Sequence, residues 1–335
     1  MGENSKIEWT DQTYNVWRGC RHVSAGCDHC YAETQSKRNP KVLGHWGEGA
    51  ERVLAAESYR NLPYKWNEAA KREGVRRRVF PLSLGDWLDD EVPIPWLYGL
   101  LCDIEDCTAL DWLLLTKRPE NFRRRLEAVR EYSRGCVMLD AWIDDDIAPP
   151  HVWIGGSAEN QETLEQRLGH VLRIPAVVRF LSLEPLLSAV NLRYVDVDSH
   201  ADAPDGFYQV DALTGEQTDM GRPCYYVPRV DWVIVGGESG PHARPMHPDW
   251  ARSLRDQCQA AHVPFFFKQW GEWRRTLDRS DLSPISHWLE QDGRFFPVGD
   301  VPPPGHSLDA IGITRVGKKV AGCLLDGREW KEFRR

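Results

Sequence analysis

Seven short apolar runs recur along the 335-residue chain, and each ends in a cluster of polar residues. The runs are continuously hydrophobic rather than alternating, which is typical of parallel strands covered on both faces. Most are followed by a stretch with helical periodicity, such as PENFRRRLEAVREY, NQETLEQRLGHVLRI or HPDWARSLRDQCQAAH. This alternation predicts an α/β fold, a complete or partial parallel (β/α) barrel, with a doubly wound open sheet as the alternative. The runs are residues 13–20, 78–86, 111–119, 152–160, 177–185, 231–240 and 263–272.

Two segments interrupt the alternation. Residues 190–229 are polar and rich in Asp, Gly and Pro, which predicts an insertion between the fifth and sixth strands. Residues 274–335 include the proline run VPPPG and are predicted to form an irregular C-terminal extension that packs on the barrel. The expectation is therefore one barrel domain over residues 1–335.

Three cysteines lie within eleven residues, in the segment GCRHVSAGCDHCYAE (19–33). No apolar stretch is long enough for a signal peptide or a membrane span, so a cytoplasmic location is predicted and disulfides are disfavoured. The spacing of Cys20, Cys27 and Cys30 is Cys-x6-Cys-x2-Cys, which predicts a loop around a metal centre. Either a [4Fe–4S] cluster with one open iron or a zinc ion completed by His22 or His29 satisfies the donor chemistry.

Charge is distributed unevenly. The formal net charge of −8 excludes a generally basic nucleic-acid-binding protein, but KREGVRRR (71–78) and KRPENFRRR (117–125) are locally basic. These runs predict either a solvated face or a local groove that contacts phosphates.

Polar residues collect where the predicted strands end. In a parallel βα fold these ends converge on one face, where ligands bind. Glu184 and Glu238 are candidates for binding ribose hydroxyls or the substrate, or for pairing at the barrel mouth with Lys117, Arg118 or Lys268. The candidates for substrate binding are Lys117, Arg118, Lys268 and Gln269.

Several stretches of the sequence resemble a known family. KIEWTDQTYNVWRGC…GCDHCYAE, FLSLEPLL, DWVIVGGESG, FFFKQWGEW and AGCLLDGREW look like a phage-encoded three-cysteine-motif family that is regarded as radical-SAM-like. A three-cysteine loop after the first strand of a βα barrel likewise resembles the radical S-adenosylmethionine superfamily. The usual loop there is Cys-x3-Cys-x2-Cys with an aromatic residue before the last cysteine. Here the first gap is six residues, and Tyr31 follows the last cysteine.

The resemblance implies a radical enzyme of unassigned reaction that uses a [4Fe–4S] cluster on Cys20, Cys27 and Cys30 together with S-adenosyl-L-methionine. It implies a flavodoxin- or ferredoxin-like reductant, no membrane partner, and modification or repair of nucleic acid or a nucleotide, in the host cytoplasm if phage-encoded. A zinc-dependent nucleic-acid-binding protein and a non-catalytic iron–sulfur sensor or electron-transfer protein are the alternatives. The candidates for cofactor binding are Tyr31, Asp86, Glu159, Glu184, Gly236, Gly237 and Glu238.

Overall fold

The computed structural model describes residues 5–197, 208–219, 222–276, 284–300, 305, 307 and 309–334. The chain divides into two compact units: unit 1 is Met1–Ser157 with Arg167–Phe180, and unit 2 is Ala158–Gln166 with Leu181–Arg335. In chain order the strands are β1 (Gln12–Tyr14), β2 (Trp17–Arg18), β3 (Val53–Leu54), β4 (Arg77–Pro81), β5 (Leu110–Thr116), β6 (Val152–Ser157), β7 (Val178–Leu183), β8 (Val195–Val197), β9 (Tyr208–Val210), β10 (Glu216–Asp219), β11 (Arg222–Tyr226), β12 (Trp232–Gly236), β13 (Phe265–Gln269), β14 (Trp273–Arg275), β15 (His287–Leu289), β16 (Phe295–Pro297) and β17 (Ile311–Arg315). The helices are α1 (Tyr31–Ser36), α2 (Pro40–Leu43), α3 (Glu57–Arg60), α4 (Leu62–Glu73), α5 (Ile94–Asp106), α6 (Phe122–Ser133), α7 (Val137–Asp144), α8 (Gln161–Arg173), α9 (Pro248–Ala260) and α10 (Lys318–Ala321).

Each of the seven apolar runs overlaps one strand of the main sheet, and β1, β4 and β5 begin one residue before their runs. These strands lie in the order β1-β4-β5-β6-β7-β12-β13, which is their order along the chain. The pairs β1–β4, β4–β5, β5–β6 and β12–β13 are parallel. A doubly wound sheet reverses its strand order at a switch point. The unreversed order is that of a partial (β/α) barrel, so the α/β prediction is confirmed at this level and the doubly wound alternative is wrong.

The three predicted helical stretches are helices. A short 3-10 turn, Pro119–Asn121, leads into α6. Asn160 Oδ1 accepts from the amide of Thr163 at 2.9 Å, which is the N-cap contact expected at the start of α8. Pro248 occupies the first turn of α9, where a missing N–H costs no hydrogen bond.

The first strand is shorter than its apolar run. The main-sheet strand β1 ends at Tyr14, and Trp17–Arg18 pairs instead with β3 in an antiparallel ribbon. Tyr14 is fully buried in the core of unit 1, where its ring meets Trp112 edge-on and its hydroxyl donates to Asp103 Oδ2 at 2.7 Å. The chain therefore leaves the sheet before the cysteines begin.

Unit 2 contains two antiparallel sheets that the sequence did not predict. Within the stretch 190–229, strands β8 to β11 form a four-stranded sheet in the order β11-β10-β9-β8. Within 274–335, where irregular structure was expected, β15, β16 and β17 pair with one another and with β14. Parts of both segments, including 198–207 and 277–283, lie outside the described residues. None of the helices in the described part of the chain has the length and apolarity of a membrane span.

Candidate functional site

The three cysteines lie in one loop of unit 1. Cys20 forms an isolated bridge with Trp46 and follows β2 rather than a strand of the main sheet. Cys27 ends a short 3-10 helix, and Cys30 directly precedes α1. All three cysteines are free, and each residue is partly exposed.

The loop is held against the end of the neighbouring strand at Gly19. Its amide donates to the carbonyl of Leu84 at 3.0 Å, just after β4. Its φ is +110°, and a Cβ there would lie 2.8 Å from the carbonyl oxygen of His45. Only glycine combines that backbone conformation with so close an approach, so the residue before Cys20 is dictated sterically.

Arg118 contacts the first cysteine directly. Its two terminal nitrogens each lie 3.6 Å from Cys20 Sγ, and one of them also donates to the Arg21 carbonyl at 3.0 Å. Burial raises the pKa of Cys20 to about 12, and the positive charge of Arg118 opposes that rise. A guanidinium held at a sulfur in this way stabilises negative charge on it.

Asp86 organises the end of β5. Its carboxylate accepts from Arg118 at 3.0 Å, from the Thr116 hydroxyl at 2.7 Å and from the Lys117 amide at 2.9 Å. The Arg118 and Asp86 side chains are only 3% and 7% exposed, so each charge is buried with its partner. The structure thus brings the candidates Asp86, Lys117 and Arg118 together, with Asp86 bonded to protein groups.

Lys117, next to Arg118, is the second cation at the end of β5. Its ammonium donates to Ser157 Oγ at 3.0 Å. Burial raises the pKa of Cys30, whereas backbone amides at the start of α1 and the charge of Lys117 lower it, and the neighbouring Cys27 thiol raises it further. The end of β5 therefore supplies one cation in contact with Cys20 and a second whose charge lowers the pKa of Cys30.

Tyr31 ties the loop to the end of β4. Its hydroxyl donates to the Ser83 carbonyl at 2.6 Å, although the ring is about half exposed. Asn15, which sequence reasoning missed, donates to Ser83 Oγ at 3.1 Å and accepts from the Leu84 amide at 2.8 Å. The available signal for Asn15 was a polar residue inside the apolar run TYNVW.

Arg52 is a second residue that the sequence analysis did not identify, and its hydrogen bonds support the loop. Arg52 is buried and donates to Asp89 at 3.0 Å and to Glu91 at 2.9 Å. Arg52 also donates to the Gly47 carbonyl at 3.4 Å, and the Gly47 amide donates to the Cys20 carbonyl at 3.0 Å. An isolated arginine in a polar segment carries no local signal of this role.

The predicted metal ligands of the loop do not form a single-ion site among the described residues, and both the iron–sulfur and the zinc assignments stay predictions. Among the described residues, no three His, Cys, Asp or Glu side chains converge closely enough to hold a single metal ion. His22, one of the two proposed zinc ligands, is bonded through Nε2 to Glu33 Oε2 at 2.7 Å. A cubane takes each thiolate on a different iron, so its ligands do not have to meet at one point.

Two of the unit 2 candidates form an ion pair. Lys268 Nζ lies 2.6 Å from Glu184 Oε1, with side chains 15% and 20% exposed. Gly236, at the end of β12, packs against this carboxylate: a Cβ on Gly236 would lie 3.2 Å from Glu184 Cδ. Gly236 and Lys268 therefore each contact Glu184, and whether this carboxylate binds a ligand stays a prediction.

The rest of the Gly-Gly-Glu segment is engaged within the protein. Arg244 donates to both carboxylate oxygens of Glu238, at 2.6 and 2.9 Å. A Cβ on Gly237 would lie 2.1 Å from the carbonyl oxygen of Trp270, so the second glycine is required by packing. Gln269 donates to the Gly237 carbonyl at 3.2 Å. The roles predicted for these residues in ligand binding stay predictions.

Glu159 follows β6 and is completely buried. Its amide contacts Thr163 Oγ1 at 3.1 Å, and its carbonyl accepts from the Leu187 amide at 2.8 Å. These bonds fix the entry to α8, and the predicted cofactor role of its side chain also stays a prediction.

The arginines of the two basic runs, Arg72 apart, contact neighbouring protein groups. Arg125, for example, is buried and donates to the Val92 carbonyl at 2.7 Å. The other partners are Asp111 for Arg76, Glu73 for Arg77, Asp11 for Arg78, Glu127 for Arg123 and Asn121 for Arg124. Whether the runs form a solvated face or a groove that contacts phosphates stays a prediction.

A family described as "Protein of unknown function (DUF5131)" matches residues 4–334. No curated protein matches the sequence. Among solved structures, a spore photoproduct lyase mutant with bound AdoMet and dinucleoside spore photoproduct is similar at 11% identity and a TM-score of 0.37. The match covers 55% of this chain and 48% of that one, so the chain spans about half the length of the structure it matches.

Proposed function

Since this chain belongs to the DUF5131 family, we propose a function for it from the chemistry of its own residues. The protein is an iron–sulfur, S-adenosylmethionine-dependent radical enzyme, and Cys20, Cys27 and Cys30 hold its [4Fe–4S] cluster. The observation that carries this proposal is the attachment of the three-thiol loop to the ends of two parallel strands. Arg118, which follows β5, contacts Cys20, and Tyr31 of the loop donates to Ser83, which follows β4.

The charges around the loop support the proposal. A cubane held by three thiolates is anionic, because the thiolates outweigh the charge of the iron–sulfide core. Arg118, in contact with Cys20, and Lys117, whose charge acts on Cys30, offset that negative charge, as cations and hydrogen-bond donors around metal ligands generally do.

Three thiolates leave one iron without a protein ligand. When bound, the cluster and S-adenosylmethionine supply one-electron cleavage of a sulfonium, which yields a radical able to abstract hydrogen from a substrate. The contribution of this chain is ligation and orientation: Gly19 and Tyr31 fix the loop, and Asp86 fixes Arg118.

The substrate is proposed to be nucleic acid or a nucleotide, because several sequence segments resemble a phage-encoded three-cysteine-motif family. The basic runs give this part little support, because their arginines contact protein groups. Filter binding of single- and double-stranded DNA and RNA at low salt tests it. If the protein binds none of these polymers and no nucleotide, the proposed substrate class is wrong. The proposal of an iron–sulfur cluster is not affected by that result.

The central experiment is anaerobic purification followed by absorption spectroscopy and metal analysis. The expected protein is brown, contains about four irons per chain and, once reduced, changes its electron spin resonance signal on addition of S-adenosylmethionine. Colourless protein with one zinc would contradict the proposal and favour the zinc module. A normal cluster that ignores S-adenosylmethionine and releases no 5′-deoxyadenosine would favour the sensor or electron-transfer alternative.

A further inference from the structure

We infer that Arg118 is a positioning residue that sets the reduction potential of the cluster through two hydrogen bonds to Cys20 Sγ, and that Asp86 tunes its effect. The inference rests on the proposed function in that it takes a cluster to be bound at Cys20. It goes further by assigning electronic control to one buried ion pair.

The geometry around the sulfur is specific. Both terminal nitrogens of Arg118 lie 3.6 Å from Cys20 Sγ, within the range of hydrogen bonds to sulfur. The same guanidinium is anchored by Asp86 at 3.0 Å and by the Arg21 carbonyl at 3.0 Å. These anchors aim the guanidinium at the sulfur without requiring the sulfur to hold it in place.

Burial makes the pair electrically effective. The Arg118 and Asp86 side chains are 3% and 7% exposed, so water screens their charges weakly. Reduction adds an electron to the cluster, and a nearby positive charge or an N–H···S bond stabilises the added negative charge. Arg118 therefore raises the potential, while the Asp86 carboxylate partly cancels its charge.

This arrangement predicts an order of potentials in a set of four proteins. Asp86→Asn leaves the guanidinium unneutralised, so its potential is more positive than that of the unaltered protein. Arg118→Met removes the cation and both donors and leaves a buried carboxylate, so its potential is the most negative. The double variant Asp86→Asn with Arg118→Met keeps the local net charge but lacks the two donors, so it falls between the unaltered protein and Arg118→Met.

The experiment is an anaerobic redox titration of all four proteins, followed by absorption and spin resonance, with Arg130→Met as a control. Arg130 pairs with Asp144 at the surface of α6, and its replacement should leave the potential unchanged. Opposite shifts in the two single variants support the inference. Equal potentials, or shifts of the same sign, overturn it and leave Arg118 as a structural ion pair.

If Arg118→Met does not fold, the double variant still tests the inference. The double variant is expected to fold because it leaves no unpaired charge buried. A double variant with the potential of the unaltered protein would show that the N–H···S bonds have no effect. The outcomes also separate from those of the proposed function. If the reduction potential changes in the Arg118 variant but the cluster does not respond to S-adenosylmethionine, the proposed enzyme function is wrong and the inference about Arg118 stands. If the cluster responds to S-adenosylmethionine but its potential is the same in the Arg118 variant, the inference is wrong and the proposed function stands. Unaltered protein without any cluster overturns both.

Discussion

Lys268 Nζ lies 2.6 Å from Glu184 Oε1 in unit 2, and Gly236 leaves just enough room for this carboxylate. Both side chains are largely removed from solvent, so the ion pair is stronger than an exposed one but also bears a desolvation cost. A pair of this kind either stabilises the fold or presents its charges to a ligand, and mutation distinguishes the two roles.

Reversing the pair is the sharper test. Glu184→Gln alone should lower the free energy of unfolding by about 1–2 kcal/mol, because Lys268 loses its partner. The exchange Glu184→Lys with Lys268→Glu should recover most of that lost stability, because the ion pair forms again in the opposite orientation. It should not restore binding of S-adenosylmethionine or substrate, which titration calorimetry measures. If the exchanged protein binds both ligands as well as the unaltered one, the pair is structural.

The cysteines should divide into two classes. Changing Cys20, Cys27 or Cys30 to Ser should each abolish the cluster, measured as iron content and absorption after anaerobic reconstitution, because loss of one thiolate exposes a second iron. Cys258→Ser is the matched control: the residue is completely buried in α9, so a hydroxyl there should cost about 1–3 kcal/mol of stability while the iron stays. Full iron content in any of the three loop variants would refute the ligand assignment.

Gly237 should tolerate no side chain. Gly237→Ala places a methyl group 2.1 Å from the Trp270 carbonyl oxygen, so backbone has to move, at a cost of about 2–4 kcal/mol in urea unfolding. Gly99, in the interior of α5, has open space where its Cβ would lie, so Gly99→Ala should instead stabilise by about 0.5–1 kcal/mol. A neutral Gly237→Ala would mean that the second glycine is not required by packing.

His151 should make the fold acid-sensitive. The ring is buried with Nε2 2.8 Å from the Ile104 carbonyl oxygen, and burial lowers its pKa below the ordinary 6.5, although that carbonyl opposes the shift. As pH falls below about 6.5 the unfolded chain takes up a proton that the folded protein resists. The stabilising contribution is therefore complete above that pH and is lost as pH falls towards the folded-state pKa.

The measurement is urea unfolding between pH 8 and pH 5. His151→Gln should cost about 1–2 kcal/mol at neutral pH through altered packing, and it should flatten the acid side of the profile. Exposed His45→Gln should keep the slope of the unaltered protein. An identical slope in His151→Gln would assign the acid sensitivity to other groups.

The strands of the main sheet and three of the helices were predictable because their signals are local. A parallel strand covered on both faces requires a continuous apolar run, and WVIV or FFF shows it without reference to any other part of the chain. Asn160 at the start of α8 was likewise visible, since an N-cap depends only on the next few residues.

The antiparallel sheets of unit 2 were not predictable in the same way. Their strands are three to five residues long, as in Val195–Val197 and Arg222–Tyr226, and lie in polar surroundings. A strand of that length has too few residues to display a period. Its existence depends on a partner strand, as Gln217 opposite Val210 illustrates.

The sequence by itself determined the βα order, the three-thiol loop and the polar residues at the strand ends, because each is a matter of residue type and short spacing. Only the tertiary structure decided which of those residues meet. Arg118 reaches a sulfur 98 positions earlier in the chain, whereas Glu238 is taken by Arg244 six positions on. Polar groups removed from water bond to whatever partner the fold brings within reach, and that partner is set by strand pairing across the sheet rather than by distance along the chain.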